Sequence, residues 1–72
     1  MTRKPAKVYA RILAEHPDGT GKVEIETTMD MVHQFFENLK VEGKEAFVFD
    51  SIGRVVGHQW CEMGIWKHYL EN

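Results

Sequence analysis

One stretch of this chain has the periodicity of an amphipathic helix, and it constrains the fold more than any other feature. Apolar residues recur there at i, i+3, i+4 and i+7, which places them on one helical face, while the residues between them are polar. Gly43 is a natural stop because glycine adopts a left-handed conformation at little cost. The spacing predicts a helix from about 28 to 41 that packs these residues onto a sheet: Val32, Phe35, Phe36 and Leu39.

Capping residues mark the expected start of this helix. Thr27 or Thr28 is suited to the N-cap position, since a side-chain oxygen there accepts a hydrogen bond from the first helical turn. Thr27 followed three residues later by Asp30 resembles a capping box, with Asp in place of the usual Glu or Gln. We therefore expect the helix to begin directly at these threonines.

The residues before the helix have the period of two that is typical of strands. In 7–15, small and apolar residues alternate with Tyr9, Arg11 and Leu13, which predicts a strand with one clean apolar face. Residues 22–27 alternate β-branched residues with glutamates and predict a second strand. The segment 16–21 between them contains Pro and two Gly, which favours a hairpin loop.

Three further strands are predicted after the helix. Residues 45–50 and 54–60 form a second hairpin around 50–53, since Asp first and Gly fourth favour a type I turn. The segment 65–70 is ambiguous: Trp, Tyr and Leu suit a short helix, but the Gly-containing turn at 62–64 favours a strand. The predicted fold is an α+β domain with an antiparallel sheet in ββαβββ order and one amphipathic helix on one face.

Length and cysteine content set the boundaries of this fold. A chain of 72 residues closes one hydrophobic core, so we expect a single domain over 1–72 with a short basic arm at 1–6. Cys61 is the only cysteine, which excludes an internal disulfide and favours a reducing cytoplasm. No window has the apolar run of a signal peptide or the roughly 18 apolar residues of a membrane span. We expect a soluble, cytoplasmic protein.

Residues capable of catalysis or metal binding are few. His58, Cys61 and His68 lack the paired spacing of structural zinc sites, and Cys61 is alternatively a small buried hydrophobic residue. No motif indicates an activated nucleophile, and Gly19 and Gly21 precede a strand rather than the helix that a phosphate-binding loop requires. We therefore predict no metal, no cofactor, no catalytic residue and no enzymatic activity.

The apolar and aromatic residues exceed what one helix over one sheet face covers. Tyr9, Leu13, Val48 and Val55 are expected on the second face, and an exposed apolar face of this kind usually has a partner. Aromatic residues and arginine dominate binding interfaces, although the two tryptophans alternatively close the edges of the core. The predicted binding residues are Tyr9, Arg11, Leu13, Arg54, Trp60, Trp66 and Tyr69.

The layout resembles a short family of phage-encoded anti-CRISPR proteins directed at type I effector complexes. The shared features are a Lys-started first strand, a Gly-containing turn, a second strand ending in Thr, one helix, and a Gly-turned hairpin that includes Gly64-Ile65-Trp66. The resemblance implies a stoichiometric inhibitor that evades host defence in the bacterial cytoplasm. Its partner would be a host protein or ribonucleoprotein complex.

Charge separates this reading from its main alternative. The net charge is −2, and the basic residues are concentrated before Glu15. We predict a protein–protein interaction module, whose partner is a host protein or, in a homodimer, a second copy of the chain. A host-encoded regulatory or assembly subunit fits the sequence equally. The alternative is a small nucleic-acid-binding regulator that uses the basic arm and aromatics such as Tyr9. Overall acidity disfavours it, because such binding depends on many contacts from Lys and Arg to phosphate.

Overall fold

The computed structural model describes residues 8–71, which form a five-stranded antiparallel sheet with one helix packed on one face. The sheet order is β2-β1-β3-β4-β5. The predicted α+β class and ββαβββ order are confirmed, including a strand rather than a helix at the C-terminal end. The predicted basic arm at 1–6 lies outside the described residues. The elements are β1 (Tyr9–Glu15), β2 (Val23–Thr28), a 3₁₀ turn (Met29–Met31), α1 (Val32–Val41), β3 (Glu45–Phe49), β4 (Val55–Glu62) and β5 (Ile65–Leu70).

The core lies between α1 and the central strands. The alternation in β1 gives the expected result, since Ala10, Ile12 and Ala14 are buried while the residues between them are half-exposed. Ile12 pairs with Ile25 of β2 on one side and with Val48 of β3 on the other. Each fully buried side chain of this size contributes about 1.5–3 kcal/mol. The helix adds Val32, Phe36 and Leu39 to the same cluster.

The helix starts later than the capping residues predict. Thr28 still pairs with Tyr9 as the last residue of β2, and its backbone is extended. A 3₁₀ turn follows, α1 begins at Val32, and neither helix has a side-chain cap. The Thr28 hydroxyl instead donates a hydrogen bond to the Asp30 carboxylate. The expected cap is wrong because the pairing of β2 with β1 continues through both threonines.

Val48 lies on the face opposite to the one predicted. It is 0 % exposed in the core, and its neighbour Phe47 points away from the helix. The pairing with β4 shifts between Val48 and Phe49, so that Val48 lies opposite Gly57 while Phe49 lies opposite Val55. The extra residue, Val56, lies on β4 and points into the core, while β3 keeps a regular alternation that directs Phe47 and Phe49 away from α1. The sheet face away from α1 is therefore more aromatic than expected.

The turn between β3 and β4 has the predicted geometry and depends on one carboxylate. Asp50 accepts hydrogen bonds from the backbone N–H groups of Ile52 and Arg54, at 3.0 and 2.9 Å, and from the Arg54 Nε at 2.9 Å. The backbone N–H of Arg54 is the main cause that holds the pKa of Asp50 below its ordinary value. Gly53 completes the turn at a φ of +86°.

We expect the Asp50→Asn variant to melt at a lower temperature than the wild type near neutral pH. The folded-state pKa of Asp50 lies below the value of about 3.9 in an unfolded chain. Its ionised form therefore stabilises the fold above about pH 4, and this stabilisation is lost as the pH falls through the folded-state pKa. Thermal melts followed by circular dichroism should show the difference narrowing in acid. A difference independent of pH would contradict the role of the carboxylate.

Candidate binding face

The sheet face that points away from α1 is covered by no element within residues 8–71, and we call it the open face. Strand alternation assigns its members, because each residue directly opposite another on a neighbouring strand points to the same side. Phe47 of β3 connects Leu13 of β1 with His58 of β4, and His58 lies opposite Tyr69 of β5. The open face carries Tyr9, Arg11, Leu13, Phe47, Phe49, Val55, His58, Trp60, Lys67 and Tyr69.

Four of these side chains form an aromatic stack, namely Phe47, His58, Trp60 and Tyr69. The ring centroids of Phe47 and His58 are 4.1 Å apart with an interplanar angle of 11°. Trp60 stacks on His58 at 4.6 Å and 19°, and Tyr69 meets His58 edge-on at 6.4 Å and 85°. Aromatic pairs contribute about 0.5–1.5 kcal/mol beyond their buried area. The stack is therefore a preformed apolar surface.

The histidine at the centre of the stack is not explained by packing. Its Nε2 atom is buried and has no hydrogen-bond partner among residues 8–71. An unpaired buried polar atom costs about 1–3 kcal/mol, whereas a phenylalanine in the same position would stack without that cost. A buried group of this kind calls for an explanation other than packing. His58 thus joins Phe47 to Trp60 in the stack, while its Nε2 is inaccessible to a partner in this arrangement.

Charged groups surround the stack on the β1–β2 side. The Arg11 guanidinium bonds to Glu24 Oε2 at 2.9 Å and lies 4.8 Å from the ring centroid of Phe49. The Tyr9 hydroxyl donates to Glu26 at 3.3 Å. Partial burial, and secondarily the negative charge of Glu26, raises the pKa of Tyr9, so the hydroxyl stays protonated at neutral pH. Glu24 and Glu26 are both exposed to solvent on this side of β2.

Charged groups also lie at the end of the β4–β5 hairpin. Glu62 Oε1 is 3.3 Å from Lys67 Nζ and accepts a hydrogen bond from Trp60 Nε1 at 3.2 Å. Arg11 and Lys67 are thus each already paired with a glutamate, and so is Lys22 at the β1–β2 end of the open face.

The structure brings together five of the seven residues predicted for binding. Tyr9, Arg11, Leu13, Trp60 and Tyr69 share the open face. The other two lie elsewhere. Trp66 is half-buried on the opposite side of the sheet, where it pairs with Cys61, and Arg54 belongs to the β3–β4 turn, where it bonds to Asp50.

Sequence reasoning missed four members of the open face, Phe47, Phe49, His58 and Lys67. A signal for the phenylalanines was available, since they alternate with Ala46 and Val48, which have the small and β-branched side chains of the helix-facing side. His58 had no such signal, because its environment depends on the pairing of β4 with β3 and β5.

The histidine and cysteine residues considered for metal binding do not converge. His58 lies in the stack, whereas Cys61 and His68 lie on the other side of the sheet. His68 contacts His33 of α1 there, with ring centroids 5.8 Å apart. Among residues 8–71 no group of three or more His, Cys, Asp or Glu side chains is placed to hold a metal ion. Cys61 is exposed, so the alternative that it is a small buried residue is wrong.

Comparisons of this chain with protein-family models, with curated proteins and with solved structures each gave no match. Within residues 8–71, no helix has the length and apolar character needed to cross a membrane. The chemistry of the open face is therefore the feature that indicates a function.

Proposed function

We propose that this protein is a non-enzymatic interaction module that binds a partner protein through the open face. The observation that carries the proposal is the aromatic stack, held on a sheet and covered by nothing among the described residues. Aromatic side chains supply most hot spots of protein interfaces, because they bury a large area at a small cost in conformational entropy. An exposed apolar face of this kind usually has a partner.

Electrostatics indicates the character of the partner. The stack is bordered by glutamates on four strands, while Arg11 and Lys67 are each neutralised by one of them. Complementary potentials speed association and suppress wrong partners. A protein with a basic surface fits this border best. The bordering residues are Glu15, Glu24, Glu26, Glu45 and Glu62.

The volume available on the open face supports binding rather than turnover. A depression beside the stack encloses about 140 Å³. Clefts that hold substrates or cofactors usually have roughly 300–1,000 Å³. A side chain of a partner fits this space, and a cofactor does not.

A photo-crosslinking residue tests the proposal directly. We expect p-benzoyl-phenylalanine in place of Tyr69, which is 46 % exposed in the stack, to form one discrete adduct in bacterial lysate. The same residue in place of Gln34, exposed on α1, is the matched control and should form no such adduct. The yield should fall as salt is raised, since the border is charged. Equal labelling from both positions would contradict an interface on the open face.

The resemblance in layout to anti-CRISPR proteins gives this proposal a specific form, a phage-encoded inhibitor of a bacterial ribonucleoprotein. A near-equimolar amount of the protein should then prevent a purified type I effector complex from shifting its target DNA in a mobility assay. The Trp60→Ala variant should not. Undiminished shifting at a large excess of the wild-type protein would exclude this partner and leave the interaction module intact.

The aromatic stack also favours one competing function, binding of single-stranded nucleic acid. Bases stack on aromatic side chains presented by a sheet, as in several RNA-binding modules. Phosphate binding needs free cations, and Arg11, Lys22 and Lys67 on the open face are each paired with a glutamate. We therefore expect no binding of a fluorescent oligonucleotide at physiological salt. Micromolar binding that is steeply salt-dependent and lost in Trp60→Ala would replace our proposal with this one.

A further inference from the structure

An apolar groove with an acidic rim lies between β1 and β3 on the open face. Leu13, Phe47 and Phe49 form its apolar wall. Glu15, the last residue of β1, and Glu45, the first residue of β3, line one end of the groove. The groove encloses about 140 Å³, which suits one side chain. Its walls therefore combine an apolar surface with carboxylates.

The two carboxylates of the groove belong to residues that face each other. Glu15 and Glu45 are directly opposite in the register of β1 and β3, and like charges in this position destabilise a sheet. Lys22 is the one cation that lines the groove, and its Nζ is 4.0 Å from Glu15 Oε1. Glu45 has no ion-pair partner within residues 8–71. The groove thus carries surplus negative charge that a further cation would neutralise.

The same face already shows how it holds a guanidinium. Arg11 lies against the ring of Phe49 and bonds to Glu24 at 2.9 Å, so its flat cation contacts an aromatic face and a carboxylate together. The groove repeats this combination farther along the same strands, with Phe47 as the ring and Glu45 as the carboxylate. Here no arginine of the described chain supplies the cation.

We propose that the groove accepts an arginine side chain of the partner protein. Its methylene stem packs on Leu13, and its guanidinium lies on the Phe47 ring between the carboxylates of Glu15 and Glu45. Arginine suits the site better than lysine because a planar guanidinium stacks on a ring and donates several hydrogen bonds at once. This assignment rests on the proposed function and names the chemistry that the open face recognises.

The test is a titration of the ¹⁵N-labelled full chain with N-acetyl-arginine amide, followed by NMR. We expect saturable shifts, with millimolar affinity, confined to the backbone amides around Leu13–Glu15 and Glu45–Phe47. Glu45→Gln should weaken binding by about three- to fivefold, as for loss of one exposed ionic contact. Glu37→Gln on α1 is the matched control and should leave the affinity unchanged. N-acetyl-citrulline amide, which has the same shape without the charge, should not bind.

Other outcomes of this titration overturn the assignment. Shifts elsewhere, or equal affinity of Glu45→Gln, would show that the groove does not hold the cation. Equal affinity for N-acetyl-lysine amide would show that the groove attracts any cation, and the assignment of a guanidinium would be wrong. The titration contains no partner protein. If arginine does not bind but crosslinking from Tyr69 succeeds, the arginine site in the groove is wrong and the proposed interaction module is unaffected. Arginine binding without a crosslinked partner would overturn only the module.

Discussion

Replacing Phe36 by alanine should lower the free energy of unfolding by about 3–5 kcal/mol, the usual cost of emptying a buried aromatic position. Phe36 is 2 % exposed, at the centre of the helical face that covers the sheet. Its carbonyl also accepts a buried hydrogen bond from Gln59 Nε2 at 2.9 Å, which joins α1 to β4. The core of a domain of this size rarely supplies more than about 3–5 kcal/mol of total stability. A large share of this variant should therefore be unfolded at 37 °C.

The neighbouring Phe35 provides the matched control. It is half-buried and packs against the border of the core. Phe35→Ala should lower the free energy of unfolding by about 1–2 kcal/mol, because a half-buried side chain removes less apolar area from water in the folded state. Urea unfolding followed by circular dichroism measures both variants. Equal costs would contradict the orientation of α1 on the sheet.

The fold was predictable where a local pattern sets the structure. The stripe on α1 and the alternation in β1 each define one buried face, and glycines with positive φ end the helix and complete the β3–β4 turn. The exceptions have non-local causes. Thr28 does not cap the helix because it pairs with Tyr9, and the bulge opposite Val48 and Phe49 depends on how β4 pairs with β3. No local pattern reports either pairing.

The candidate site was predictable only in part, for the same reason. Tyr9, Arg11 and Leu13 follow from the alternation within one strand, and the structure places them together. The sequence around Trp60 and Trp66 does not distinguish their environments, yet the two-residue turn between β4 and β5 places them on opposite faces of the sheet. That turn places Met63 at a φ of +53° and Gly64 at +80°, which is the geometry of a tight hairpin. The separation of the two tryptophans follows from the register of this turn.

The loss of Trp60 should weaken binding far more than the loss of Trp66. Trp60 closes the aromatic stack above His58, and its Nε1 is fixed by Glu62. An aromatic anchor at the centre of an interface contributes about 2 kcal/mol or more, which corresponds to roughly a 30-fold increase in Kd for Trp60→Ala. Trp66 is similarly half-buried but faces the other side of the sheet. Trp66→Ala should change the binding free energy by less than about 0.5 kcal/mol.

Calorimetric titration with the partner protein identified by crosslinking from Tyr69 measures both affinities. Circular dichroism and thermal melts show whether each variant is folded. Trp60→Phe adds a second control, because it keeps a ring on His58 and loses only the hydrogen bond to Glu62. Its affinity should lie between those of the wild type and Trp60→Ala. The two tryptophans have similar size and exposure, so a general effect of removing surface indole would weaken both variants alike. A larger loss in folded Trp66→Ala than in folded Trp60→Ala would place the interface on the helix-bearing side and refute the open face as the binding surface.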